Sequence, residues 1–370
     1  MINTKNFLKI LKENDLAYFS GVPDSTFKEL ISEICEDKEV ENRISANECE
    51  AIATATGYHL STKKIGVVYM QNSGFGKTIN PITSLISKEV YSIPIILFIG
   101  YRGEPGEKDE PQHKTMGKLT LPFLKMLEIP YEILFPDYDQ AGELIRRMKE
   151  LAEKTNFAVA IVIKKGVFEG DVKKEENKYE LLREEAINLI INEIKKESII
   201  ISTTGKTSRE LFEQRKIHNQ ENNDFLTVGS MGCSSAIALE IAMQKPSKEI
   251  YCFDGDGAMI MQMGTFATIG KNSPKNFKHF LFDNNSYDST GGQKTNSDSL
   301  DFEKIALACG YKYAKTIFNK KELVNELKKI ENVQGPVLMV IKIKKGSRKD
   351  LGRPTNSPLQ NKTLFMEKFE

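Results

Sequence analysis

A glycine–aspartate–glycine turn, Gly255-Asp256-Gly257, and an asparagine twenty-eight residues on, Asn284, are the residues best placed to do chemistry. Each follows an apolar run, 249–253 and 279–282, that predicts a buried strand. The glycines keep side chains away, and Asp256 offers a hard anionic oxygen. Asn284 adds a carboxamide oxygen, and the Ser286 main-chain carbonyl a third. An oxygen-only set with incomplete protein coordination suits Mg2+ that also holds phosphate oxygens. Read alone, Gly-Asp-Gly is also a common turn; the spaced asparagine after a second strand favours the metal.

Other motifs fail on inspection. Gly205-Lys206-Thr207 and Gly76-Lys77-Thr78 look like the ends of P-loops. That motif needs a glycine five residues before its Gly-Lys pair, and Ile200 and Gln71 stand there. Gly255-Asp256-Gly257 is not a dinucleotide fingerprint, because position 260 is Ile260. Kinase and nicotinamide chemistry lose their support. Five scattered cysteines, odd in number and without a C-x-x-C pair, fit reduced thiols in a cytosol and disfavour a disulfide framework or structural zinc. Fifty-two Lys and Arg against 51 Asp and Glu argue against a generic nucleic-acid partner. The strong apolar run at 93–99 is strand-length, far from the ~18 residues of a membrane span. The first twelve residues read as an amphipathic helix without a signal-peptide core, so a cytoplasmic location is expected.

The positioning elements follow from the pattern. A chain of 370 residues suits two domains, each on the order of 150–200 residues. Strand and helix signals alternate throughout, which predicts parallel sheets covered by helices on both faces. Strands are expected near 17–20, 43–45, 66–71, 93–99, 132–135 and 158–163. After a charged, solvated linker at 166–180 the alternation restarts, with strands near 198–202, 225–228, 249–253, 279–282, 312–315 and 337–343. The expected domains are 1–165 and 181–345, with an irregular tail at 346–370. Ligands in such sheets bind beyond the carboxyl ends of strands. Glycine concentrates in those loops, at 20–24, 71–76, 100–106, 203–208, 229–232 and 255–257.

Gly255-Asp256-Gly257 with Asp283-Asn284-Asn285 resembles the metal and diphosphate motif of the thiamine diphosphate-dependent 2-oxo acid decarboxylase family. The resemblance implies two α/β domains, doubly wound and with parallel sheets, in the thiamine diphosphate-binding fold, without a middle domain. The first would bind the pyrimidine end and the second the diphosphate. It implies thiamine diphosphate and Mg2+ as cofactors, with Asp256, Asn284 and Ser286 as metal ligands. Asp283 departs from the usual Asn-Asn pair, and a register shifted by one would make Asn285 the ligand. Gly255, Gly257 and Ala258 would lie along the diphosphate, as would Thr204, Gly205 and Lys206. Met231 would support the bent cofactor, with the Gly229 carbonyl beside it. The segment 46–58 resembles the one that carries the cofactor-activating glutamate, here Glu48; Ser45-x-x-Glu48 also reads as a capping box.

Longer strings narrow the resemblance to a subgroup whose substrates carry a second anion: 20–25, 103–106, 109–113, 288–293 and the tail 346–355 with Arg348. The implied reaction is decarboxylation of 3-phosphonopyruvate to phosphonoacetaldehyde and CO2. Sulfopyruvate is the alternative substrate, and a catalytically silent phosphate- or nucleotide-binding module the alternative outside enzymes. His113, in a polar loop after a strand, is the candidate for proton transfer. Ser25, Arg102, Lys77 and Lys294 are the candidates for substrate, Arg102 by a bidentate grip on the phosphonate. The family implies a homodimer or larger assembly, with active sites between subunits.

Overall fold

The computed structural model describes residues 1–172, 177–221 and 224–369. The chain divides into two compact units: Met1–Lys174 with Ser289–Gln293, and Glu175–Asp288 with Lys294–Glu370.

The first unit holds six parallel strands: β1 (Tyr18–Gly21), β2 (Glu41–Ile44), β3 (Gly66–Gln71), β4 (Ile95–Gly100), β5 (Tyr131–Leu134) and β6 (Val159–Ile163). Their spatial order is β2-β1-β3-β4-β6-β5. β4 and β6 are apolar at nearly every position and wholly buried, as a parallel strand covered on both faces must be. Edge strand β2, Glu-Asn-Arg-Ile, stays partly solvated. The main helices are α1 (Thr4–Glu13), α2 (Lys28–Glu36), α3 (Glu48–Thr62), α4 (Pro111–Met126) and α5 (Tyr138–Thr155). α1, capped by the Asn3 side chain, is the amphipathic helix expected at the N-terminus. Phe7, Phe19, Phe98 and Ile161 pack one face of the sheet, and Ala51, Ile52, Val68 and Leu97 the other.

The second unit repeats the design with β7 (Ile199–Ser202), β8 (Phe225–Leu226), β9 (Ile250–Gly255), β10 (Phe277–Asp283), β11 (Tyr313–Ile317) and β12 (Val337–Lys342), ordered β8-β7-β9-β10-β12-β11. All twelve strands lie within two residues of the positions expected. The helices are α6 (Arg183–Glu193), α7 (Lys206–Ile217), α8 (Ser234–Gln244), α9 (Asp256–Met261), α10 (Thr265–Asn272), α11 (Phe302–Cys309), α12 (Lys320–Ile330) and α13 (Pro358–Glu367). In both sheets the chain visits an edge after the first strand and returns to the other side for the third. The switch point therefore lies between β1 and β3, and between β7 and β9, where a ligand crevice is expected. Among the described residues no helix is long and apolar enough to cross a membrane.

Three expectations need correction. The linker 166–180 is not all solvated: Phe168–Glu169 pairs in parallel with Ile2–Asn3, and Phe168 is buried against Phe7 at 4.9 Å between ring centroids. Its run Lys173-Lys174-Glu175-Glu176 lies outside the described residues. Gly255-Asp256-Gly257 is not a loop, since Gly255 ends β9 and Asp256 opens α9. The tail is not irregular throughout, because Ser357 and Gln360 form a capping box that starts α13. Asn361 then pins the tail by accepting from Leu226 N at 3.1 Å and donating to Asp224 O at 2.8 Å.

Asn361→Leu removes the side-chain partner of the Leu226 N–H on edge strand β8 and of the Asp224 C=O just before it. The expected loss is about 1–3 kcal/mol in urea unfolding. Lys362→Ala, at an exposed neighbour, should change stability by less than about 0.5 kcal/mol.

Candidate active site

Strand register builds the oxygen-rich end of the second unit. β9 and β10 run parallel, with Gly255 opposite Phe282, so Asp256 and Asp283 emerge from neighbouring strands. Both carboxyls are buried. Burial first, and then the Asp283 charge, push the Asp256 carboxyl up to about 7. Thr295 donates to Asp256 Oδ2 at 2.5 Å, Ser297 donates to Asp283 Oδ1 at 2.8 Å, and Lys342 pairs with Asp283 Oδ2. Asn284 Oδ1 accepts from Ser286 N at 3.0 Å, and its Nδ2 donates to Asp288 at 2.8 Å. The Ser286 hydroxyl is buried without a partner. Asn285 Oδ1 shares the Thr295 hydroxyl with Asp256, at 3.3 Å. Two buried acids among amide and hydroxyl oxygens fit a hard divalent cation, which would supply the charge the site lacks.

The remaining second-unit candidates converge on the same strand ends. Gly257 has no room for a side chain: a Cβ there would stand 2.6 Å from the Tyr287 ring and 3.3 Å from Met231 Cε. Met231 thus reaches the Gly-Asp-Gly segment, and Ala258 is buried in α9. The loop after β7 places Thr204 Oγ1 on Val228 O at 2.9 Å, just before Gly229. Gly205, at φ +89°, precedes Lys206 at the first position of α7. Burial lowers the Lys206 pKa, and the Asp288 charge opposes the shift. Lys294 is exposed. Arg348 pairs with Glu184 at 3.1 Å and with Glu213, so it fastens the tail.

In the first unit Glu48 opens α3, but the capping box at Ser45 does not form. Asn47 is the N-cap, accepting from Glu50 N at 3.1 Å, and Glu50 reaches back to Ala46 N at 3.2 Å. The Glu48 carboxyl is buried, with Oε2 unpartnered and Lys77 Nζ 3.7 Å away. Gly74 makes room for it, since a Cβ there would overlap Glu48 Oε1. The carboxyl is thus free of capping and has one buried oxygen that could accept a hydrogen bond from a ligand.

Around the ends of β1, β3 and β4 the polar groups form a closed network. The Arg102 fork is held by Asp109, Nε to Oδ2 at 2.8 Å and Nη2 to Oδ1 at 2.5 Å, while Nη1 donates to Ser25 Oγ at 3.0 Å. The bidentate edge expected to meet a phosphonate therefore faces Asp109, whose pKa those bonds lower. His113 is not in a loop. Pro111 starts α4, which buries the ring in its first turn with Nδ1 unpartnered. Burial and then Arg102 lower its pKa.

Sequence reasoning missed Asp24. It is fully buried, accepts from Gln71 Nε2 at 2.6 Å, and leaves Oδ2 unpartnered where Gly100 has no Cβ. Burial raises its pKa. Its position directly after β1, at the switch point, was the available signal. Register also gathers Cys252, Asp254 and His279 in the second core, with His279 Nε2 3.6 Å from Asp254 Oδ2 and Nδ1 3.1 Å from Tyr311 Oη.

Comparison with known proteins gives consistent matches. The family described as thiamine pyrophosphate enzyme, N-terminal TPP binding domain, matches residues 3–121, and its C-terminal TPP binding domain matches 203–341. A phosphonopyruvate decarboxylase of Streptomyces viridochromogenes is 30% identical over 92% of this chain and 88% of its own length. One from Streptomyces hygroscopicus is 31% identical over 99% and 94%. The sulfopyruvate decarboxylase subunit beta of Methanococcus maripaludis is 38% identical over 50% of this chain and 91% of its own.

Two measurements check the first-unit geometry. Asn47→Ala should cost about 1 kcal/mol of stability as a lost cap, and Glu48→Gln much less. In NMR titration His113 should protonate below the ordinary 6.5, and Arg102→Leu should raise its midpoint. Because the folded value is the lower one, the His113 contribution to stability is present above about pH 6.5 and lost as pH falls through the folded value.

Proposed function

Because this chain belongs to the thiamine pyrophosphate enzyme family, we propose that it decarboxylates 3-phosphonopyruvate to phosphonoacetaldehyde and CO2. The observation that carries the reading is the identity shared along nearly the whole chain with the two Streptomyces phosphonopyruvate decarboxylases. Thiamine diphosphate is the family's cofactor. When bound it takes up the electron pair left as CO2 departs.

The chain's own residues have distinct tasks in this reading. Asp256, Asn284 and the Ser286 carbonyl hold Mg2+. Thr204, Gly205 and Lys206, with Gly255, Gly257 and Ala258, hold the diphosphate, and Gly229 and Met231 support the pyrimidine end. Glu48 would present its buried carboxyl to the aminopyrimidine and orient it. His113, kept neutral by burial and Arg102, accepts or returns a proton at Nδ1. The CO2 lost from the 2-oxo acid is replaced by one proton on the same carbon. Ser25 and Arg102 meet the substrate, with Lys77 and Lys294 as further cations.

On the same reading 1–165 is the pyrimidine-binding domain and 181–345 the diphosphate-binding domain, joined by 166–180. The protein is a homodimer or larger, with Glu48 of one subunit serving Asp256 of another, and is cytoplasmic. Five free thiols support the location. Sulfopyruvate is the second reading, favoured by the Methanococcus subunit.

Competition kinetics test the substrate. Phosphonopyruvate should be preferred over sulfopyruvate at least about tenfold in kcat/KM, about 1.4 kcal/mol, because its second anion carries up to two charges. Pyruvate should be worse still. Equal specificity for the two anionic acids would sink the assignment and leave the cofactor chemistry standing. Assembly is tested by mixing inactive Glu48→Gln and Asp256→Ala chains. Shared sites restore part of the activity, whereas none after verified subunit exchange means sites built within one chain.

A further inference from the structure

We propose that Asp288 is a positioning residue that fixes the polarity of the Asn284 carboxamide, turning its oxygen rather than its NH2 group toward the metal; this rests on the reading above that Asn284 is a ligand. A carboxamide presents an oxygen and an NH2 group of nearly equal size, so packing alone does not choose between them. Mg2+ accepts only the oxygen. Something beside Asn284 must therefore make the choice by chemistry.

Asp288, four residues on, meets that requirement. Its side chain is 9% exposed, and Asn284, Gly346 and Arg183 all meet it with donors. Asn284 Nδ2 donates to Oδ2 at 2.8 Å. Gly346 N lies 3.0 Å from Oδ1 and 3.1 Å from Oδ2. Arg183 Nη1 is 3.5 Å from Oδ2. A carboxylate engaged in this way can only accept, so Asn284 can face it only with its NH2 group. The amide oxygen must then face the other way. There it accepts from Ser286 N at 3.0 Å and keeps a second lone pair for a cation.

The orienting carboxylate is itself held. Arg183 is buried and grips Glu210 bidentately, at 2.7 and 3.1 Å. Gly346, with φ +90°, brings its N–H onto Asp288 from the segment after β12. The polarity of Asn284 is therefore set from two sides, by Asp288 on its NH2 group and by the Ser286 N–H on its oxygen. Groups of this kind next to metal ligands typically set affinity by about 10–100-fold.

The test is Mn2+ affinity in the presence of thiamine diphosphate, read by the EPR signal of unbound Mn2+, with a melting temperature for every variant. Asp288→Ala should weaken Mn2+ binding at least about tenfold. Asp288→Asn, which offers an acceptor in one of its two amide orientations, should lose less. In an Asn284→Ala background, Asp288→Ala should cause no further loss. Glu210→Gln, which loosens Arg183 without touching Asn284, should lower the melting temperature and keep Mn2+ affinity within about twofold. An unchanged affinity in Asp288→Ala, or an equal loss in the Asn284→Ala background, overturns the positioning role. Unchanged affinity in Asn284→Ala instead removes Asn284 as a ligand, and the proposal falls with it.

Discussion

Two carboxylates stand side by side at the ends of neighbouring parallel strands, and the second unit is arranged around that repulsion. Burial and the neighbouring Asp283 charge hold the Asp256 carboxyl well above its ordinary range, so its charged form is disfavoured. Lys342 from β12 and the hydroxyls of Thr295 and Ser297 relieve part of this. A divalent cation would relieve the rest, which couples charge at Asp256 to metal binding. Of the two flanking glycines only Gly257 is required by packing: it lets the Tyr287 ring and Met231 approach the start of α9, whereas a Cβ at Gly255 would meet open space.

The first unit uses the same strand order for a different purpose. Its acids at strand ends, Asp24 and Glu48, are buried. Glu48 keeps one oxygen unpartnered beside a distant Lys77, and Asp24 keeps one unpartnered beside Gln71. Gly74 and Gly100 provide the space in each case. An oxygen left this way is open to a hydrogen bond from a ligand, whereas Asp256 would have to be charged to bind a cation. One topology, repeated, thus brings buried acids to strand ends in each unit.

Much of this was legible in sequence because parallel strands buried on both faces are apolar runs, and glycines mark their ends. What failed was local. Ser45-x-x-Glu48 has the letters of a capping box, yet the chain turns into helix two residues later, at Asn47. That shift removes Glu48 from the cap. Pro111 is a first-turn signal that places His113 in a helix, and Ser357-Pro358 with Gln360 marks α13 in the same way. Capping rules do not reach Asp288 or Asp24, although Asp24 stands just after β1. Their partners come from distant segments, Arg183 and Gly346 for the one and Gln71 for the other, and only the folded sheet brings them together.

The Arg102–Asp109 pair changes how a second anion would be read. A free guanidinium would attract any anion, sulfonate or phosphonate, with little discrimination. Here the fork already holds a carboxylate through two short bonds, and Gly103 N and Glu110 N bond the same carboxylate at 2.8 Å. An incoming group must either displace Asp109 or accept the remaining edge of Arg102, where Ser25 now sits. A dianionic phosphonate competes for a guanidinium better than a singly charged sulfonate, and better still where water is scarce. Within the proposed reaction, Asp109 therefore acts as the incumbent against which substrates are compared. Displacing Asp109 would cost every anion the same free energy, so within that reaction a preference for the dianion would rest on its stronger pairing with Arg102 and not on the displacement itself.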